Sequence, residues 1–153
     1  MSTRRFALIL GLFFVAAGVA GFIPFFAHPE AGGALIDTIG NSARAQAQAN
    51  APMMLGTGHD MLFGLFPVNS LHNGVHLLFG LWGLIAARKP GAALLYARLV
   101  AILYVLLALA GLLPATQTGF GLLPLYAKDV WLHGAIALAG AYFGWVAQES
   151  PPR

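Results

Sequence analysis

Four apolar runs divide this chain: Phe6 to Phe26, Leu71 to Ala87, Leu94 to Pro114 and Val130 to Ala147. Each is close to the ~17–25 residues a helix needs to cross a ~30 Å hydrocarbon layer. Only 8% of the 153 residues are charged and 59% are hydrophobic, whereas about a quarter of an ordinary soluble domain is charged. Strict two-residue alternation is absent, which argues against an outer-membrane barrel. The runs predict an all-α membrane protein with four transmembrane helices.

The few charges are placed as a membrane topology would place them. Arg4 and Arg5 precede the first run, Arg88, Lys89 and Arg98 crowd the link between runs two and three, and Arg153 closes the sequence. Only Arg44 and Lys128 fall in the other two links. By the positive-inside rule both termini and the central link lie in the cytoplasm of a multi-pass cell-membrane protein. No basic stretch is interleaved with aromatics, so a nucleic-acid partner is not expected. The absence of cysteine removes disulfides, thiolate metal sites, thiol catalysis and covalent haem attachment. An N-terminal signal peptide is disfavoured, because Phe25 stands at the −3 position of a cleavage site after Ala27, where a small residue is expected.

A repeat organises the runs. GLFPVNSLHNGVH, Gly64 to His76, returns as GLLPLYAKDVWLH, Gly121 to His133, at a constant offset of 57 residues. Pro67 pairs with Pro124, His72 with Asp129 and His76 with His133. Upstream, Gly21-Phe22-Ile23-Pro24 closes the first run and Gly111-Leu112-Leu113-Pro114 the third. Proline cannot continue a helix, so each tetrad marks a helix exit. Runs one and two therefore form one hairpin and runs three and four its pseudo-repeat. The expected architecture is a single domain over residues 1–153, an up-down-up-down four-helix bundle with a pseudo-twofold along the membrane normal.

Small residues spaced four apart, Gly140 and Gly144, Gly83 and Ala87, and Ala17 and Gly21, suit close helix approach. Packing within the bundle is the expectation; homodimerisation through the fourth run is its rival. The outward loop, about 27–63, is long enough to carry function. Asn41 or Ser42 would cap a short helix there ending at Pro52, and Leu35, Ile36 and Ile39 would lie on the bilayer surface.

Polar residues gather before runs two and four. Asn69 suits the N-cap of the second helix. His72 and His76, and likewise Asp129 and His133, are spaced i, i+4 and share a helix face. If the pseudo-symmetry holds, the pairs face one another at the outward end. As a metal site, His72, His76, Asp129 and His133 supply imidazoles and a carboxylate suited to zinc, copper or iron. A haem clamped axially by His76 and His133 is a variant. The structural alternative is an Asp129–His72 hydrogen bond, with Asn69 and Asn73 satisfying freed backbone groups. Proton or small-solute handling is a third reading. His59-Asp60 and His28 add little specificity, and Trp82, Trp131, Trp145, Tyr126 and Tyr142 suit an aromatic belt. No Walker A, GxSxG or HExxH motif occurs. The expected role is non-enzymatic, a structural or accessory module partnered by the lipid bilayer and by another membrane protein or a second copy.

The segment LFPVNSLHNGVHLLFGLWGL resembles the central region of a bacterial family of small membrane proteins, domain of unknown function 4383. The second half, LLPLYAKDVWLHGAIALAG, is similar to that family's C-terminal motif, Pro-x-Asn-x-x-Asp-Asn-x-x-His. Pro124, Asp129 and His133 match it, while Tyr126 and Val130 stand in place of asparagines. The resemblance implies a four-helix bacterial membrane protein and no particular activity, cofactor or catalytic residue.

Overall fold

The computed structural model describes residues 1–29, 60–117, 119–125 and 128–147. It is mostly helical, with α1 Thr3–Ala20, α2 Ser70–Ala86, α3 Pro90–Leu112 and α4 Lys128–Ala141. A π-helical turn, Tyr142–Val146, extends α4. Among the described residues, α1 and α3 are each long and apolar enough to cross a membrane. Arg44, His59, Tyr126 and the residues read as a capped loop helix or a surface-lying segment, 35–52, lie outside the described residues.

The helices pair as two hairpins, α1 with α2 and α3 with α4, and α3 packs additionally against α1 and α2. Glycine sets the spacing. A Cβ on Gly83 would come within 3.0 Å of the Ala7 carbonyl oxygen, and one on Gly140 within 2.9 Å of that of Ala97. Gly83 and Gly140 are 57 residues apart, and Ala7 and Ala97 are 90 apart. The same contact is thus made in both hairpins at repeat-equivalent positions. At the other end of each hairpin a side chain on Gly21 would run into Asn73, and one on Gly111 into Val130 and the Leu125 backbone. Asn73 and Val130 are again 57 apart. Arginines tie the opposite ends: Arg4 Nε donates to Ala87 O and Arg98 Nε to Gly144 O, both at 2.9 Å. Gly140 is therefore occupied within the bundle, against Ala97 and Ala101 of α3. Such contacts hold helices by dispersion between closely approaching backbones.

Two helix ends differ from the apolar runs. Run one extends to Phe26, but α1 ends at Ala20 with Gly21 as its cap. Pro24 has no N–H to continue the ladder, and the chain turns through Phe22, Ile23 and Phe26 backbone bonds instead. Run four reaches Ala147, but the regular helix stops at Ala141 and the Ala147 N–H reaches back to Tyr142 O at 2.8 Å. The widened π turn is where Arg98 takes the Gly144 carbonyl.

One element has no counterpart in the sequence reading. β1 Ala27–Pro29, β2 Asp60–Leu62 and β3 Phe66–Val68 form an antiparallel sheet in the order β1-β2-β3. Its register pairs Ala27 with Leu62 and Leu62 with Phe66. The sheet closes over the end of α1, where Ala20, Ala27, Leu62 and Val68 form a small apolar cluster. The main core runs between the helices through Ala7, Phe14, Tyr96, Val100, Tyr104 and Ile136. The outward faces are also apolar. Leu12 on α1, Leu78 on α2, Leu106 on α3 and Leu138 on α4 are all exposed.

Candidate functional site

Asn69 fixes where the site begins. Its backbone is extended, and its Oδ1 accepts from the His72 backbone N–H at 2.8 Å, so α2 starts with a side-chain cap. Its Nδ2 donates to Leu122 O at 2.8 Å, which ties the start of α2 to the loop ahead of α4. His72 and Asn73 then fall on the buried face of the first turns of α2, while Asp129 and His133 fall on the buried face of α4.

The fold brings three of the four candidate ligands together. One ligand atom from each of His72, Asp129 and His133 lies within 4.8 Å of the others. His133 Nε2 is 3.6 Å from Asp129 Oδ2 along α4, and the ring centroids of His72 and His133 are 6.3 Å apart across the two hairpins. All three residues are at most 4% exposed. His76 does not belong to this set. Its ring lies beside that of His72 at 4.5 Å, but it stacks on Phe14 of α1 at 5.5 Å and 14°.

The cluster is short of hydrogen bonds. His72 Nδ1, His76 Nδ1, His133 Nδ1, Asp129 Oδ2 and Asn73 Oδ1 are buried and make no hydrogen bond. A buried polar atom without a hydrogen bond costs ~1–3 kcal/mol, so the four on His72, His76, Asp129 and His133 call for an explanation. The hydrogen bond between Asp129 and His72 that a purely structural network would use is not formed through His72 Nδ1 or Asp129 Oδ2. What the arrangement offers chemically is two imidazoles and a carboxylate converging from two hairpins.

Two aromatic residues outside the sequence-selected set complete the surroundings. Tyr104 of α3 meets His133 edge-on at 5.1 Å and stacks with Phe14 at 5.5 Å. Phe14 and Tyr104 are 90 residues apart, the same separation as Gly21 and Gly111. Extending the repeat inward from the glycines would have found them. His28 sits in β1 opposite Met61, and Asp60 in β2 opposite Val68; neither is among the three clustered ligands. Trp131 and Trp145 are exposed, as is Tyr142, whereas Trp82 packs edge-on against Tyr96.

No curated protein and no solved structure matches the chain. The model of the family described as domain of unknown function, DUF4383, matches residues 4–146. With nearly its whole length covered, including both hairpins and every residue of the cluster, the chain belongs to the DUF4383 family.

Proposed function

We propose that this chain is a four-span membrane module whose two hairpins are clipped together by a divalent transition-metal ion held by His72, Asp129 and His133. The observation that carries the reading is the convergence of three buried ligand atoms within 4.8 Å, with a ring nitrogen on each histidine and an oxygen on Asp129 left without a hydrogen bond. Ligands bound tetrahedrally at about 2.0–2.1 Å stand roughly 3.4 Å apart, so the set needs to draw in by up to about 1.4 Å. Two imidazoles and a carboxylate suit zinc, copper(II), nickel or iron(II). Phe14 on His76 and Tyr104 on His133 occupy the flanks that a haem clamped by those two histidines would need, which favours the ion.

The membrane reading rests on the outward faces. All four helices expose large apolar side chains, among them Leu78 at 69% and Leu138 at 75%, far more apolar surface than a soluble monomer shows. With its π turn, α4 runs from Lys128 to Val146, about 28 Å at 1.5 Å per residue. The unpaired cluster lies at the outward end, away from Arg4, Arg88 and Lys89. The role is that of a non-enzymatic module joining two hairpins.

The test is metal content. Protein purified in detergent is stripped with EDTA and titrated calorimetrically with zinc, copper(II) and nickel, and its absorption spectrum is recorded through the haem Soret region. One ion per chain is expected, with no Soret band. His72→Ala, His133→Ala and Asp129→Asn abolish uptake, while His76→Ala retains it. A wild-type protein that takes up none of these ions, or one in which all four variants bind normally, overturns the reading.

A further inference from the structure

α1 and α4 belong to different hairpins and close on each other at the inward end. There Phe6 stacks on Phe143 of the π turn at 4.7 Å, and Thr3 Oγ1 donates to Phe143 O at 3.2 Å. Towards the outward end the two helices leave a cavity of about 340 Å³. Ala17 of α1 and Leu132 and Ile136 of α4 line it, as do Leu62 and Val68 of the sheet that closes over the end of α1. Phe13 and Ala16 also line it and are exposed on α1. Its mouth therefore lies on the surface that faces lipid in the membrane reading, on which this inference rests.

The lining selects the occupant. It is almost wholly apolar, and His76 Nδ1, His133 Nδ1 and Asp129 Oδ2 beside it are themselves buried. Water needs two to four polar partners to stay in a cavity, and an apolar cavity of ~150 Å³ stays dry and takes up benzene. Left empty, the lining atoms forfeit their dispersion contacts. Hydrocarbon at the mouth restores those contacts with no polar group to desolvate. Size narrows the choice further. A helix is ~10–12 Å across, too wide for this space, so a helix of a second copy does not fill it. At about 340 Å³ the cavity is just over twice the benzene-sized one and takes roughly a dozen carbon atoms. That is a length of single alkyl chain.

From these we infer that the cavity holds an acyl chain of a bilayer phospholipid, taken in sideways past Phe13 and Ala16 and lodged between the two hairpins beneath the sheet. The head group stays outside, so the site reads the tail. The chain meets carbon surface only and asks nothing of the proposed ion.

The full-length protein is reconstituted in vesicles of a phosphatidylcholine that carries a diazirine on one chain. After irradiation, the labelled residues are located by mass spectrometry, with and without EDTA. Leu78 and Leu138, on the outward faces, carry label if those faces meet lipid. Leu62 at 4%, Val68 at 1% and Ile136 at 8% exposure lie out of reach of the surrounding lipid and carry label only if a chain enters. Label at these three positions is expected, and unchanged in EDTA. Ala17→Phe fills the cavity and removes that label while leaving the label on Leu138. Ala16→Trp blocks the mouth from an exposed position and does the same even if Ala17→Phe does not fold. Label confined to exposed residues, or label at Leu62 and Ile136 that Ala16→Trp leaves unchanged, overturns the inference while label on Leu78 and Leu138 keeps the membrane reading. Absence of label from Leu78 and Leu138 as well overturns both. Label at the buried positions from a diazirine fatty acid in unlabelled vesicles, but not from the phospholipid, overturns the assignment to a phospholipid.

Discussion

Phe63 and Phe120 adopt the same left-handed backbone conformation, with φ of 52° and 59°, at positions 57 residues apart. Among the described residues they are the two non-glycines with positive φ. The turn that follows each is closed by an equivalent bond, Leu65 N–H to Leu62 O at 3.0 Å and Leu122 N–H to Gly119 O at 3.1 Å. Both rings are exposed. The duplicated geometry therefore starts one residue before the shared glycine, at a residue type that ordinarily avoids this conformation. Holding an L-residue there costs roughly 1–2 kcal/mol, a strain kept in both copies.

That strain is measurable at Phe120. Glycine relieves the backbone but gives back ~0.5–1 kcal/mol of unfolded-state entropy, so Phe120→Gly leaves stability nearly unchanged. Phe120→Val puts a β-branched side chain into the same conformation and lowers stability by about 1 kcal/mol relative to the glycine variant. Thermal unfolding of both variants in detergent separates the two.

Gly21 and Gly111 occupy equivalent positions with different neighbours. A methyl on Gly21 meets the Asn73 side-chain amide, which can rotate away; one on Gly111 meets the Leu125 backbone, which cannot do so freely. Gly111→Ala is therefore the more destabilising, by ~1–3 kcal/mol as overpacking predicts, and Gly21→Ala the milder. Equal losses in an SDS-unfolding titration would contradict the described contacts.

Asn69 has two separable duties. Asn69→Ala removes the cap on α2 and the bond to Leu122 O, at about 1 kcal/mol for the cap alone. Asn69→Asp keeps an acceptor for the His72 N–H but loses the donor to Leu122, so its stability falls between wild type and Asn69→Ala. Unfolding midpoints of the three proteins in one detergent check the order.

A bound ion that bridges α2 and α4 stabilises the folded state by mass action. At free zinc one hundred times its Kd, the gain is ~2.7 kcal/mol. Zinc therefore raises the unfolding temperature of the wild type and of His76→Ala, and EDTA reverses the rise. In His133→Ala the ion has no effect, because Asp129 and His72 alone cannot hold it between hairpins.

Much of this protein is local and so was written plainly in the chain. The four apolar runs, the Asn69 cap, the helix exits before Pro24 and Pro114, and the paired spacing of His72–His76 and Asp129–His133 are properties of a few neighbouring residues. The 57-residue offset even anticipated that the two halves would make the same contacts, as Gly83 and Gly140 do. The sheet was not legible. Strands of three residues are too short to display alternation, and β1 pairs with β2 across the long loop.

The membership of the site was likewise decided only in three dimensions. Spacing places His72 and His76 equally on one face of α2, but it says nothing about how that face is rotated towards α4. The glycine contacts set the rotation and separation of the helices, and they turn His72 towards Asp129 and His133 while His76 settles against Phe14. A cavity of about 340 Å³ beside them exists for the same reason, since α1 lines it from one hairpin and α3 and α4 line it from the other. Sequence determined which residues each helix would bury; the packing of one hairpin on the other determined which of them met.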